Sequence, residues 1–300
     1  MSERVHITEV GPRDGLQNES TWIPTDVKVA FVEALVAAGA QAIECASFVH
    51  PEKVPAMADA AEVFAALERR PGVRYIATAP NLKGYARARE AGCDAVAIFT
   101  AASDGFSRAN VGMSVAESVA GFDPVAAAAA QDGITLRGYV STIFACPYDG
   151  EVAPEVVRDV ALQLLELGCY EVSLGDTTGV GTPAETGRLL DVVLREVPVD
   201  RVAMHFHDTW GMAVANAIES LRYGVRRFDA SAGGLGGCPF AMSATGNLAT
   251  EDLIYALDRL GYESGLSLDA VASAAEMIGS RIDRPLPSRV HQALASGRKG

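Results

Sequence analysis

Basic residues are in the minority. Twenty-five Lys and Arg stand against 38 Asp and Glu, a net charge of −13 over 300 residues, with a pI of about 4.8. Nucleic-acid binding needs a basic footprint, so that class is excluded, and a polyanionic ligand would require a local basic patch against the overall field. No apolar run approaches the length of a membrane helix. The opening MSERVHITEV shows no charged-then-apolar leader, and the closing SGRKG is no peroxisomal signal. Five scattered cysteines make no disulfide framework and suit a reducing compartment. The expected location is the cytoplasm. Histidine is also scarce, yet two of the five, His205 and His207, alternate in MHFHDTWG. What the chain does have is apolar content, 49% hydrophobic residues, enough for a large core.

A helix-to-strand junction recurs. AAGAQAIEC at Gly39, EAGCDAVAIF at Gly92, ELGCYEVSL at Gly168 and RYGVRRFDA at Gly224 each end an amphipathic stretch in Gly and enter an apolar β-rich run. The spacings 39→92, 92→168 and 168→224 are 53, 76 and 56 residues, about two βα units each. Further junctions near 72, 133 and 200 fill the gaps, and RVHITEVG supplies a first strand. Eight strands are predicted near 4–10, 41–47, 73–79, 94–100, 134–142, 170–175, 201–207 and 226–232. Helices are predicted over 25–38, 55–69, 114–131, 154–167, 183–196, 211–223 and 248–260. This alternation predicts an α/β (βα)8 barrel, with a doubly wound open sheet as the runner-up. One catalytic domain is expected over 1–300, with a helical extension about 264–285.

Polar residues collect where the strands would end. Arg13, Asp14 and Gln17 follow the first strand, Glu44 lies in the second, and Asp176 and Thr177 end the sixth. His205 and His207 end the seventh, and the eighth runs into SAGGLGGCPFAMSATGNLATED with Cys238 and Asn247. The loops entering the strands are plain, and that asymmetry marks a catalytic face. In a strand His205 and His207 share one side, as a metal pair or acid–base groups would. GPRDG by itself reads as a surface turn, and Asn247 as the N-cap of the helix that follows. Cys45, Cys93 and Cys169 read as buried small apolar residues, Cys146 is ambiguous, and Cys238 on a glycine-rich loop is the candidate for reactivity. GVGTPA, from Gly179, matches a dinucleotide pattern but leads into no ribose-binding acid. Thr182-Pro183-Ala184-Glu185 reads instead as a capping box. Asp14, His205, His207 and Asn247 together would give mixed O and N donors with open positions, suited to Mg²⁺ or Mn²⁺ rather than structural zinc.

The segments EVGPRDGLQNE, SLGDTTGVGTP, HFHDTWGMAVAN and GGLGGCPFAMSATGNLATEDLIYALDRLG together closely resemble 3-hydroxy-3-methylglutaryl-CoA lyases. These belong to the metal-dependent aldol/Claisen barrel superfamily. The resemblance runs from about Val5 to Asp283 and implies a (βα)8 barrel that cleaves a 3-hydroxyacyl-CoA to acetyl-CoA and a keto acid. It implies a divalent cation, Mg²⁺ or Mn²⁺, on Asp14, His205, His207 and Asn247. It implies that Arg13 stabilises the thioester enolate, that Cys238 protonates the carbanion, and that Asp14 or His205 is the base. Glu44, Gln17, Asn110, Tyr139, Asp176 and Thr177 are then the supporting, substrate-binding shell. The implied partners are an acyl-CoA thioester and further copies of the chain, in a dimer or larger homo-oligomer. Lys53, Lys83, Arg87 and Arg108 are CoA candidates by charge alone. The His pair brackets Phe206 where the family has Cys, DTWGMA replaces DTYGQA, and PFAMSATG replaces PYAQGASG. With Phe206, Met212 and Met242 placed near the mouth, citramalyl-CoA or a longer branched 3-hydroxyglutaryl-CoA is an alternative substrate. A condensing synthase would need a further domain, and a non-catalytic metal-binding scaffold is the alternative of another class. HQALASGRKG lacks the regulatory cysteine of some members, so no thiol switch is expected.

Overall fold

A computed structural model describes residues 3–237 and 246–297. Eight strands form the sheet: β1 His6–Glu9, β2 Ala42–Ser47, β3 Arg74–Thr78, β4 Ala95–Ala101, β5 Thr135–Ser141, β6 Cys169–Asp176, β7 Val202–Phe206 and β8 Arg227–Ala230. Each pairs in parallel with its neighbours in sequence, and β1 pairs with both β2 and β8, closing the barrel. The predicted (βα)8 architecture is thus the observed one, and the open sheet is excluded. All eight strands fall on the predicted segments. Among the helices, 55–69 is instead a 3₁₀ turn, Pro55–Met57, followed by Ala60–Ala66. The stretch 114–131 divides at Gly121-Phe122 into Val115–Ala120 and Asp123–Asp132. Ser114 and Glu117 close a capping box on the first, and Pro124 sits in the opening turn of the second. The C-terminal extension is the helix Leu268–Gly279, joined by a second, Arg289–Gly297, that the sequence reading does not contain.

The strands' period of two sorts the core into layers. Met204 and Phe206 on β7, Phe228 on β8, and Val172 and Leu174 on β6 are buried in the large apolar layer under the helices. Facing the barrel axis is a much smaller apolar cluster of Ile76, Ala95 and Ala97, against Ala42 and Tyr139. Much of the rest of the interior is polar. Arg137 is fully buried there, bonded by Nε to Glu171 at 2.7 Å and by Nη2 to Asp229 at 2.6 Å. Such a charge is tolerated in a core only when paired on several sides. Among the described residues no helix is long and apolar enough to cross a membrane.

Candidate active site

The first loop begins as one π-helical turn, Gly11–Gly15, in which the N–H groups of Arg13, Asp14 and Gly15 all point to the Val10 carbonyl. The expected surface turn is therefore overturned: GPRDG is folded over the barrel mouth, with Gly11, Pro12 and Gly15 buried. Arg13 Nη1 donates to Asp14 Oδ1 at 2.5 Å, and its Nε lies 3.6 Å from Glu44 Oε2. Glu44 reaches the mouth from β2 and accepts from Thr78 Oγ1 at 3.1 Å. Burial pushes the Glu44 carboxyl above its ordinary value in spite of Arg13 and Arg137. For Asp14 burial acts the same way, but Arg13, His205 and His207 outweigh it and hold the carboxyl below the usual range.

Alternation along β7 and beyond its end brings both imidazoles to the axis, Nε2 to Nε2 at 3.3 Å. Asp229, at the same level on β8, takes His205 Nδ1 at 3.2 Å. That contact leaves the Nε2 lone pair for the site. Burial lowers the basicity of both rings. At His205 Asp229 reverses this and raises the pKa, whereas His207, next to His205, is pushed down to about 4. Asn247 is not a helix cap: the helix Thr250–Leu260 is preceded by Ala249. Its Nδ2 is spent on Asp14 Oδ2 and the Leu235 carbonyl, both at 2.9 Å, while Oδ1 is buried without a partner.

Asp14, His205 and His207 present ligand atoms within 4.8 Å of one another. With Asn247 Oδ1 they suit a hard or borderline divalent cation with coordination positions left for substrate oxygens. Tyr139 stands beside them, its ring edge-on to His205 at 6.1 Å between centroids, and its hydroxyl accepts from Arg137.

The other predicted site residues stand further off. Asp176 turns into its own loop, accepting from Gly181 N at 2.8 Å, and burial pushes it up to about 6. Thr177 Oγ1 accepts from Thr142 N at 2.9 Å, bracing the one non-glycine residue with positive φ among those described. Gln17 and Asn110 are half-buried, in the first loop and on the helix Asp104–Val111. Cys238 and Met242 lie outside the described residues. Phe206 does not line the mouth as expected: its parity sends it into the helix-side core, 1% exposed. Met212 and Trp210 are exposed on the loop after β7, Trp210 at 65%. Of the four CoA candidates, Arg108 pairs with Asp104 and Arg87 lies over Phe48, while Lys53 and Lys83 are exposed. Thr182 and Glu185 form the expected capping box. Cys45, Cys93, Cys146 and Cys169 are buried thiols, with Cys146 Sγ accepting from Tyr148 N and Asp149 N.

Sequence reasoning missed Asp229, Arg137 and Glu171. The signal was there. Arg137-Gly138-Tyr139, Glu171-Val172-Ser173 and Arg227-Phe228-Asp229 alternate polar and small or apolar residues, in strands that should be covered on both faces.

The HMGL-like family profile matches residues 4–278. A 3-hydroxy-3-isohexenylglutaryl-CoA/hydroxymethylglutaryl-CoA lyase of Pseudomonas aeruginosa is 49% identical over 294 residues, 98% of each chain. The crystal structure of hydroxymethylglutaryl-CoA lyase from Pseudomonas aeruginosa superposes with a TM-score of 0.96 at 48% identity, covering 99% of each chain. A lyase from Acinetobacter baumannii, in complex with coenzyme A and 3-methylmalate, superposes with a TM-score of 0.93 at 36% identity, covering 97% of this chain and 95% of that one. On the match over most of its length, at these identities, the chain belongs to the HMGL-like family.

Proposed function

We propose that the protein is a hydroxymethylglutaryl-CoA lyase, a carbon–carbon lyase that splits 3-hydroxy-3-methylglutaryl-CoA into acetyl-CoA and acetoacetate. The observation that carries this reading is the convergence of Asp14, His205 and His207 beside Arg13, in a chain whose relatives of nearly equal length bear that name. The metal is assigned as Mg²⁺ or Mn²⁺, held by these three residues and Asn247 Oδ1. When bound, it acts as a Lewis acid on the substrate's oxygens and lowers the pKa of the 3-hydroxyl. Asp14 or His205 takes the hydroxyl proton. The C2–C3 bond then breaks, its electron pair passing to the thioester as an enolate while C3 becomes the ketone of acetoacetate. The Arg13 guanidinium, fixed between Asp14 and Glu44, neutralises the enolate oxygen without having to reorganise. Cys238 delivers the proton that completes acetyl-CoA. Tyr139 lines the substrate cavity beside these groups, and Asp176, Thr177, Gln17 and Asn110 support it from the surrounding loops and helix. Residues 1–300 act as one catalytic unit.

The exposed Trp210 and Met212 favour a second reading, in which the apolar rim also admits a longer 3-alkyl branch. The 49% identical Pseudomonas aeruginosa relative carries the isohexenyl substrate in its name. Both readings are tested by offering a panel of 3-hydroxyacyl-CoA thioesters and measuring acetyl-CoA release. The expected result is turnover of the methylglutaryl thioester that disappears on chelation, returns with Mg²⁺ or Mn²⁺, and is lost in Cys238→Ala. A panel in which only citramalyl-CoA is cleaved, or a chelated enzyme that keeps its rate, overturns the assignment. Turnover of the isohexenyl thioester decides for the wider rim.

A further inference from the structure

Glu9, the last residue of β1, is fully buried behind the site and makes no hydrogen bond to Arg13, Asp14, His205, His207 or Asn247. Its two oxygens are nevertheless shared among three separate segments of the catalytic face. Oε1 accepts from Gly11 N at 2.8 Å and from Ala232 N at 3.0 Å, and Oε2 accepts from Thr250 Oγ1 at 2.7 Å. Gly11 opens the π-turn that carries Arg13 and Asp14. Ala232 opens the glycine loop whose Leu235 carbonyl holds Asn247. Thr250 begins the helix three residues past Asn247. A Cβ at position 11 would stand 2.7 Å from Glu9 Oε1, so the turn is packed down onto the carboxyl itself.

We infer that Glu9 is a positioning residue for the reaction: it fixes the three segments bearing Arg13–Asp14, Leu235 and Asn247 in register with one another. Donors on three loops converge on one side chain, and a buried donor left without its acceptor is costly. The loops therefore cannot shift independently while the carboxyl is in place. Losing it lets the turn with Arg13 and Asp14 drift from the two histidines, whereas the Asn247 segment keeps its own backbone tie to them, Leu248 N to Phe206 O at 2.8 Å and Asp208 N to Gly246 O at 3.0 Å. Burial pushes the Glu9 carboxyl up to about 7. Glutamine keeps the Oε1 acceptor and can donate to Thr250 in place of accepting, so it reproduces the protonated form.

This inference rests on the metal reading of the site, and its test is a Mn²⁺ titration of the protein by electron paramagnetic resonance, without thioester. Glu9→Ala is expected to weaken Mn²⁺ binding about tenfold or more, as loss of an outer partner does. It should lower kcat by a similar factor, with KM for the thioester little changed. Glu9→Gln should restore both quantities towards wild type, which a role in bulk stability does not require. Thr250→Val, which removes one arm only, should weaken Mn²⁺ binding by a smaller factor, and it serves if Glu9→Ala does not fold. Mn²⁺ affinity and kcat within about twofold of wild type in both Glu9→Ala and Thr250→Val overturn the inference. A thioester panel that fails while the Mn²⁺ result stands overturns the substrate assignment instead. A wild-type protein that binds no Mn²⁺ overturns the metal reading and this inference with it.

Discussion

His205 offers Nε2 to the site because Asp229 occupies Nδ1, and Asp229 is a carboxylate because Arg137 faces it. Burial raises the Asp229 pKa, but the Arg137 guanidinium and the bond from His205 bring it down to about 2. Ser173 Oγ adds a third donor at 2.8 Å. The three residues thus form a chain in which each group fixes the charge state of the next. Asp229→Asn keeps the shape and removes the charge, leaving Arg137 with Glu171 alone among carboxylates within ion-pair reach. The expected outcome is a loss of metal affinity of about 10–100-fold. Breaking the buried pair should also cost about 3–5 kcal/mol of folding stability. A depressed carboxyl stabilises the fold above its unfolded pKa, so that deficit is complete at neutral pH. It narrows only as pH falls from about 4 towards 2. A Mn²⁺ titration and a urea melt of the variant check the two parts, and an unchanged Mn²⁺ affinity would show that Nδ1 needs no anchor.

The loop after β8 is built so that backbone can pass close to Asn247. Gly236 has φ +128, and a Cβ there would stand 2.2 Å from Asn247 Nδ2. Gly236→Ala therefore combines backbone strain with a clash against the side chain that would complete the metal set. Because the collision is local, the metal affinity and kcat should fall by about tenfold or more, while the thermal midpoint moves by only a few degrees. Equal losses in a distant control such as Gly72→Ala, which meets nothing within 4 Å, would point to strain and not to Asn247. Elements of this kind set the limits of what the sequence could tell. The helix-to-strand repeat made seven strands legible and the opening RVHITEVG the first, since each strand must bury the face it turns to the helices. The His pair was legible because alternation on a strand needs no tertiary information. Asn247 reads locally as a cap, and only the donor set and the resemblance bring it to the metal, because proximity to a helix in sequence says nothing about a loop folding back over a barrel. The same alternation turns Phe206 away from the metal, but that it packs into the helix-side core and not near the mouth depends on tertiary contacts. The interior charges were passed over because a buried arginine makes sense only with its acids, which come from strands 34 and 92 residues away.

Taken over the whole molecule, buried carboxyls give the fold an acid-side stability optimum. Burial pushes Glu251 up to about 8, although it accepts from Gly233 N through both oxygens, and Glu9 up to about 7. An unfolded glutamate titrates near 4.3. Between that pH and the folded values the native state holds protons that the unfolded chain has released. Stability therefore falls as pH rises through this window. The depressed Asp229 acts with the opposite sign below about pH 4, and His207, pushed down to about 4, opposes the two glutamates between about pH 4 and 6.5 without matching their sum. Glu251→Gln removes the larger of the two contributions while leaving Gly233 N an acceptor. At pH 5 the folded wild-type side chain is protonated but the unfolded one is already largely ionised, so the variant should lead by only about 1 kcal/mol. At pH 8 the lead should have widened by a further ~3 kcal/mol, since one pKa unit corresponds to about 1.4 kcal/mol. Urea melts at the two pH values decide the matter. A variant less stable than wild type at pH 8 would mean that Gly233 requires the ionised carboxylate, and that the loop after β8 is held by charge and not by a neutral hydrogen bond.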